Sequence, residues 1–511
     1  MVAVFIRSPV VYTVFGALGS YYGLAGLYLP EGSHLPWMMG GALVLGILIA
    51  LFRALGDGPE WFFSERKSRY CFRKTCRYVT ALAVGFFLGF TVRTITAASE
   101  LKLGLPRERV LGITGTLLDD PRAFSDGRGM GYLKVSGASG IGGIRTSARG
   151  RVLVFFPAGA IPRLKEFGRA APVYVEGSFI VSPNNGGKGF QTGIPLFRAG
   201  SVFLLGAAPP VEQFRTGIRM EVLEKFAHSA WGGLASALIL GVKDNLDSTV
   251  SELFRTAGCS HVLALSGMHL AIVSALIAFL LKKPLGLRAA ALAGSFFILL
   301  YVYLVGPQPS LVRAAIMYLL GTAAVLGAFP RQPVPLLGLA FLIQIVLDPS
   351  SGDSLSFILS YLALGGILIA GEAIHDLIRG KVPELLAGPL SASLGAFIAT
   401  AAVSAAAFGV IRPGGIGAGL GIVPLSTLFM ILAIVYLGIS FLLPPLAGLL
   451  DGVLSGLYEL LGGTAFLASR IPGVEGVSPA VLGGISLVLV LGLLSMQNHF
   501  ALLRGKIAPL D

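Results

Sequence analysis

Apolar residues in this chain come in long unbroken runs, separated by short polar or glycine- and proline-rich stretches. A run of roughly 18 or more apolar residues is long enough to cross about 30 Å of hydrocarbon as a helix. Runs of this kind predict spans at about 10–29, 36–52 and 78–95. A second series follows at about 261–281, 287–305, 310–328, 332–347, 354–371, 387–409, 416–443, 444–468 and 479–497. The 444–468 segment carries Asp451 and Glu459; it is the weakest of these spans and also suits an interfacial position.

Between the two series the texture changes. From about 107 to 206 the apolar runs shorten and β-forming residues alternate or cluster between Gly, Pro and Asn, as in ITGTLLDDP, GRVLVFFP and APVYVEGSFIVSP. Five or six short strands in about 100 residues predict a small barrel. An OB-fold is the expected kind, and a β-sandwich is the competing arrangement. OB-folds often hold single strands in a basic groove with aromatic platforms. Arg145, Arg149, Arg151, Arg163, Lys165, Arg169 and Lys188 would supply the charge, with Tyr132, Phe155, Phe156 and Tyr174 between them. The other reading is that the aromatics fill the barrel and the charges solvate its surface.

Val211 to His228 reads as an interfacial amphipathic helix, and Trp231 to Gly241 is apolar but too short to span. In the next stretch Leu246, Val250, Leu253, Phe254 and Ala257 fall on one helical face. Asp247 or Ser248 suits its N-cap and Gly258 its left-handed end. Glu252 and Arg255, three apart, suit a simple ion pair. If a helix starts at His261, then His269 and Ser266 lie roughly 80° and 140° from it, so one polar stripe holds all three. Imidazole and hydroxyl groups are costly in hydrocarbon unless paired or wetted, so the stripe reads either as satisfied helix packing or as the lining of a polar path. Two histidines eight residues apart make a poor metal chelate, and a Ser–His pair three apart on one helix should not align for catalysis.

Composition supports the membrane reading. Hydrophobic residues are 54% and charged residues 13%, and the mean hydropathy is +0.80. A soluble domain carries about a quarter charged residues. The loop 53–77, with Arg66, Lys67, Arg69, Arg73, Lys74 and Arg77, is cytoplasmic by the positive-inside rule. That rule puts both termini in the cytoplasm and the β region outside. It also makes 261–281 run inward to Lys282 and Lys283, so that the short 231–241 segment is re-entrant. No cleavage site stands out after the first run, which reads as a retained span. Cys71, Cys76 and Cys259 read as free thiols, and no metal site or cofactor is expected. The net charge of +13 suits a polyanionic partner, although Lys/Arg excess also orients ordinary membrane proteins.

The run from Gly241 to His269, GVKDNLDSTVSELFRTAGCSHVLALSGMH, resembles the signature of the ComEC-type competence proteins, an inner-membrane DNA-uptake family. Three later segments fit the same family: LVGPQPSLVRAAIMYLL with Ser310 and Arg313, DSLSFILSYLALGG with Ser356, Ser360 and Tyr361, and GLGIVPLSTLFM with Pro424. Arg313 either snorkels to the outer interface or faces a phosphate path. Val242 and Lys243 stand where the family commonly has an acidic–Arg pair, and Gly419 where an asparagine often precedes the proline helix.

The resemblance covers about residues 105–440 and implies a channel that passes one DNA strand across the membrane. Many relatives end in a metallo-β-lactamase-like domain; its HxHxDH run is missing here, so no nuclease activity is expected of this chain. No P-loop is present, so a motor, a nuclease and a DNA receptor would be separate partners. The expected fold is a polytopic α-helical membrane protein of about 12 spans plus a re-entrant element, with a small all-β, OB-like extracytoplasmic domain. Its parts are 1–100, three spans; 105–207, the β domain; 210–500, the channel domain; and 501–511, a cytoplasmic tail. The expected DNA path is lined by Lys243, Arg255, His261, Ser266, His269 and Arg313. Gly241, Phe254, Gly258, Gly267 and Pro424 would shape the motif. The alternative function is transport of a small solute or lipid precursor, which would call for an intramembrane acidic residue.

Overall fold

The computed structural model describes residues 9–25, 80–94, 96, 101–124, 126–180, 194–329 and 331–503. The expected second span at 36–52, the basic loop 53–77 with Cys71 and Cys76, Lys188 and residues 504–511 lie outside the described residues.

In chain order the helices are α1 (Pro9–Ala25), α2 (Thr80–Thr94), α3 (Ile161–Phe167), α4 (Pro210–Ala227), α5 (Gly232–Leu240), α6 (Ser248–Thr256) and α7 (Gly267–Val305). They continue as α8 (Pro309–Leu326), α9 (Pro333–Leu347), α10 (Leu355–Ile378), α11 (Glu384–Phe408), α12 (Gly414–Leu442), α13 (Pro444–Ser469) and α14 (Pro479–Leu503). Among the described residues, five helices are long and apolar enough to cross a membrane: α7, α8, α10, α11 and α12. The protein is therefore a mostly helical, multi-pass membrane protein that carries a sheet domain. The break expected between 281 and 287 falls at Gly286, whose φ of +76° interrupts α7 just after Pro284. Helix α13 is 26 residues long but is not among the five.

The chain divides into two compact units, one of residues 1–98, 316–400 and 484–511, the other of residues 99–315 and 401–483. In the first, Ala17, Tyr21, Val92, Phe341, Ile345 and Phe357 form a core between α1, α2, α9 and α10. Helices α1 and α2 touch through Gly16 and Gly85, where a Cβ on either would run into the other's backbone. Arg93 pairs with Asp353 at 2.8 Å, and the Tyr21 hydroxyl donates to the Pro349 carbonyl at 2.6 Å.

The second unit contains the β domain and the central run from Gly241 to His269. Its strands are β1 (Lys102–Leu103), β2 (Val110–Leu117), β3 (Arg122–Ala123), β4 (Gly129–Gly140), β5 (Arg145–Phe156), β6 (Pro172–Phe179) and β7 (Leu196–Leu204). Strand β2 pairs with β4 and β6, β4 with β5, β6 with β7, and β7 closes back on β5 in parallel. Five strands thus form a closed ring, with α3 between β5 and β6. Closure removes the free edges that a sheet in contact with solvent must otherwise protect.

Alternation decides which side chains fill the ring. Ile113, Leu117, Leu133, Val152, Val154, Phe156, Val173, Val175 and Phe197 are buried in it. Tyr132, Phe155 and Tyr174 sit at the alternate positions and are half-buried on the outer face, so Phe156 is the only one of the four candidate aromatics that belongs to the core. Tyr174 stacks on Phe203 with ring centroids 6.1 Å apart. A separate helical core gathers Phe226, Trp231, Leu234, Leu238, Phe254, Phe429 and Leu454 from α4, α5, α6, α12 and α13.

Candidate functional site

The site grows from two glycine-terminated helices. Helix α5 is nine residues long, about 14 Å, and buried along its length. It ends at Gly241 with φ +70°, a left-handed position that glycine takes without steric cost. After a turn, the Asp247 carboxylate accepts from Thr249 N–H at 2.7 Å and caps α6. Val250 and Phe254 are buried, while Glu252 and Arg255 pair on the opposite, exposed face at 2.7 Å. The Arg412 guanidinium donates to the Thr256 carbonyl at 3.0 Å, a cation placed at the negative end of α6. Gly258, φ +77°, lies against the Arg412 carbonyl and Gly415, where a Cβ would stand only 3.0 Å from that oxygen. Cys259 is buried, and burial pushes its thiol up to about 11, so it stays protonated at neutral pH.

The expected stripe on one helix does not form. Residues 260–266 are non-helical, and α7 starts only at Gly267 with Ser266 as its extended N-cap. His261 is exposed on the preceding loop, off the helix that holds His269. The reason is local: Ser266 Oγ accepts from Met268 N–H at 3.3 Å, which fixes the helix start there. The same cap sets the geometry of the Ser–His pair. Ser266 Oγ and His269 Nδ1 do meet, at 3.0 Å, because the serine is the cap and the histidine the third helical residue. Ser266 N–H also donates to Nδ1 at 3.0 Å, so the neutral imidazole carries its proton on Nε2. That Nε2 is buried and has no hydrogen-bond partner among the described residues.

Arg313 comes to the same place. Its side chain is buried in the protein, and a Cβ at Gly267 would stand 3.0 Å from its Nη2. The guanidinium therefore lies against the first turn of α7. On the other side, Thr427 Oγ1 approaches Met268 Sδ at 3.9 Å, which puts the Pro424 region of α12 beside the cap. Gly267, Ser266, His269, Arg313 and the proline helix thus converge, while Arg255 and His261 remain exposed outside this cluster. Ser356, Ser360 and Tyr361 belong to the other unit, where the Tyr361 hydroxyl donates to Gln344 Oε1 at 2.8 Å.

Several buried ionic groups escaped the sequence reading. Arg215 clasps Asp120 through Nη1 at 3.1 Å and Nη2 at 2.6 Å, and its Nε donates to the Tyr303 carbonyl at 2.8 Å. Arg219 Nη1 donates to the Leu304 carbonyl at 2.9 Å. Arg169 pairs with Glu212 at 2.6 Å and is not free for a nucleic-acid groove. Burial would raise the Asp120 carboxyl, but Arg215, Arg219 and Arg169 outweigh it and hold the pKa below the usual carboxylate range. The network joins the β domain to α4 and to the C-terminal carbonyls of α7. The signal in the sequence was the spacing of Arg215 and Arg219, four apart and so on one face of α4.

Asp451 likewise accepts from Trp231 Nε1 at 2.9 Å and Ser229 Oγ at 3.0 Å, tying α13 to the start of α5. No group of three or more His, Cys, Asp or Glu side chains among the described residues is arranged to hold a metal ion.

Residues 238–500, just over half of the chain, match the family model described as "Competence protein". The chain belongs to the competence protein family. The matched region begins within α5 and takes in the α6–α7 cap and the proline helix. Among curated relatives, the chain is 27% identical over 168 residues to "ComE operon protein 3" of Bacillus subtilis (strain 168), covering 32% of this chain and 21% of that protein. It is 26% identical over 219 residues to an uncharacterized protein of Aquifex aeolicus (strain VF5), covering 43% of this chain and 50% of the relative. The chain thus spans half or less of the length of the curated relatives it matches. No solved structure matches it.

Proposed function

We propose that this competence protein passes single-stranded DNA across the cytoplasmic (inner) membrane during DNA uptake. The observation that carries the reading is the polar cluster at the start of α7, of buried His269 and Arg313 with half-buried Ser266, inside the family-matched region and otherwise surrounded by apolar helices. A strand that crosses hydrocarbon needs a wet, cationic lane to neutralise its phosphates. A buried imidazole N–H without an acceptor is costly unless something polar meets it. Lys243, Arg255, His261, Ser266, His269 and Arg313 are the groups proposed to line the lane. The converging three contact the strand inside the membrane, and the exposed Arg255 and His261 do so at its mouth.

The remainder of the proposal follows the same frame. The protein has about 12 spans with α5 as a re-entrant element. Its termini are cytoplasmic and its β domain extracytoplasmic. The ring order and the helix between β5 and β6 support an OB-like fold. Domain limits near 1–100, 105–207, 210–500 and 501–511 belong to this reading. The chain acts as a channel with no nuclease of its own, and a separate nuclease, DNA receptor and motor complete the process. A solute or lipid-precursor carrier is the less favoured reading, because Asp451, a carboxylate within an apolar helix, is committed to Trp231 and Ser229.

The test is uptake of fluorescent single-stranded DNA into cells or proteoliposomes, comparing intact protein with His269→Ala and Arg313→Gln at equal membrane abundance. Uptake is expected to fall at least tenfold in both variants, the order of effect when a buried charge-assisted contact is lost. Unchanged uptake in both would return these residues to helix packing.

A further inference from the structure

A second cationic cluster lies where the β domain meets the turn after α5. Asp244 in that turn accepts from Ala123 N–H of β3 at 3.1 Å through one oxygen and pairs with Lys165 Nζ of α3 at 2.7 Å through the other. Both carboxylate oxygens are thereby used to dock β3 and α3 onto the turn. The docking brings Arg122, next to Ala123, towards Lys243, next to Asp244. Lys243 is an exposed residue, and its ammonium has no hydrogen-bond or ion-pair partner among the described residues. Local desolvation of the ammonium, and after it the charge of Arg122, pushes its pKa down. Arg122 is exposed, and its guanidinium also forms no ion pair among the described residues. Arg122 also acts on Asp119, whose carboxyl burial raises to about 6. Three cations therefore gather around Asp244, both of whose carboxylate oxygens are already engaged.

We propose that Lys243 and Arg122, with Lys165 adding to the field, form a phosphodiester-binding station on this seam, where the strand leaves the β domain for the membrane helices. This rests on the reading of the chain as a DNA channel and extends it to a residue of the β domain. An ammonium held beside a second unpaired cation is repelled by it until an anion arrives. A phosphate supplies two or more oxygens, one for the Lys243 point charge and a pair for the planar guanidinium. The exposed face of Arg122 leaves room for the rest of the strand.

The experiment measures binding of a single-stranded oligothymidylate to the full chain in phosphatidylcholine nanodiscs across a salt series. The proteins compared are the intact chain, Lys243→Gln, Arg122→Gln, the double variant and Lys243→Arg. Each lost phosphate contact should reduce the log–log salt slope by about 0.7, so the double variant loses about twice that and several-fold in affinity at each step. Lys243→Arg should keep the slope. Equal slopes in all five proteins would overturn the station while leaving the DNA reading standing. No binding by the intact chain would overturn that reading and the station with it. If, in parallel nanodiscs that also contain phosphatidylglycerol, Lys243→Gln instead weakens retention of that lipid and leaves the DNA slope unchanged, the phosphate is a lipid headgroup's and the station on the DNA track is overturned.

Discussion

At the scale of single residues, the second unit pairs polar groups that the sequence leaves unconnected. Asp119 shows what this costs. Burial is the main cause of its raised pKa, from 3.8 to about 6, and it outweighs the hydrogen bond from Tyr132 N–H at 2.8 Å. The native state therefore holds this proton to a higher pH than the unfolded chain does. Asp119 costs no stability below about pH 4, where both states are protonated. As pH rises from 4 through 6 the unfolded state ionises first, and stability falls by roughly 3 kcal/mol at most. Asp119→Asn keeps an oxygen to accept from Tyr132 and removes the titration. Thermal unfolding should find the variant similar to the parent at pH 4 and more stable at pH 7.5. A variant that is equally or less stable at pH 7.5 would mean that Asp119 is solvated in solution.

At the scale of elements, the helices of the central motif owe their starts to caps rather than to hydrophobic pattern. Helix α7 starts where Ser266 can accept a backbone N–H, although apolar residues continue on its N-terminal side. Its other end is held from outside, by Arg215 and Arg219 on the carbonyls of Tyr303, Leu304 and Val305. Arg215 is 1% exposed, so its charge is tolerable only with Asp120 and that carbonyl in place. Arg215→Gln should destabilise the second unit by about 3–5 kcal/mol, the cost of breaking a buried ion pair by removing one partner. Limited proteolysis or thermal unfolding in detergent would register the loss. A change below about 1 kcal/mol would mean that Arg219 alone satisfies Asp120.

At the scale of the whole molecule, the prediction concerns sidedness. With both termini cytoplasmic, a cysteine introduced at Gly142, in the exposed β4–β5 turn, should react with an impermeant maleimide on intact spheroplasts. A cysteine at Lys283, beside the break in α7, should react only after permeabilisation. The labelling is done with Cys71, Cys76 and Cys259 replaced by serine. The opposite pattern would invert the proposed topology and place the β domain in the cytoplasm.

Much of the architecture follows from sequence because it depends on short-range physics. Run length and composition mark the apolar helices, and alternation marks the strands of the β domain. Asp247, Gly241 and Gly258 announce their caps through the hydrogen-bonding and conformational preferences of those residue types. The central run from Gly241 to His269 was sufficient to indicate the family. Periodicity misplaced the start of α7, because the pattern counts apolar positions whereas the cap at Ser266 competes for the backbone. Only the tertiary structure decided that Ser266, His269 and Arg313 meet, that Asp244 docks the β domain onto the motif, and that Arg215 and Arg219 are buried. The docking and the buried arginines depend on partners far apart in sequence, 121 residues for Asp244–Ala123 and 95 for Arg215–Asp120. A buried charge is stable only when its partner is in place, and no local pattern records where that partner will be.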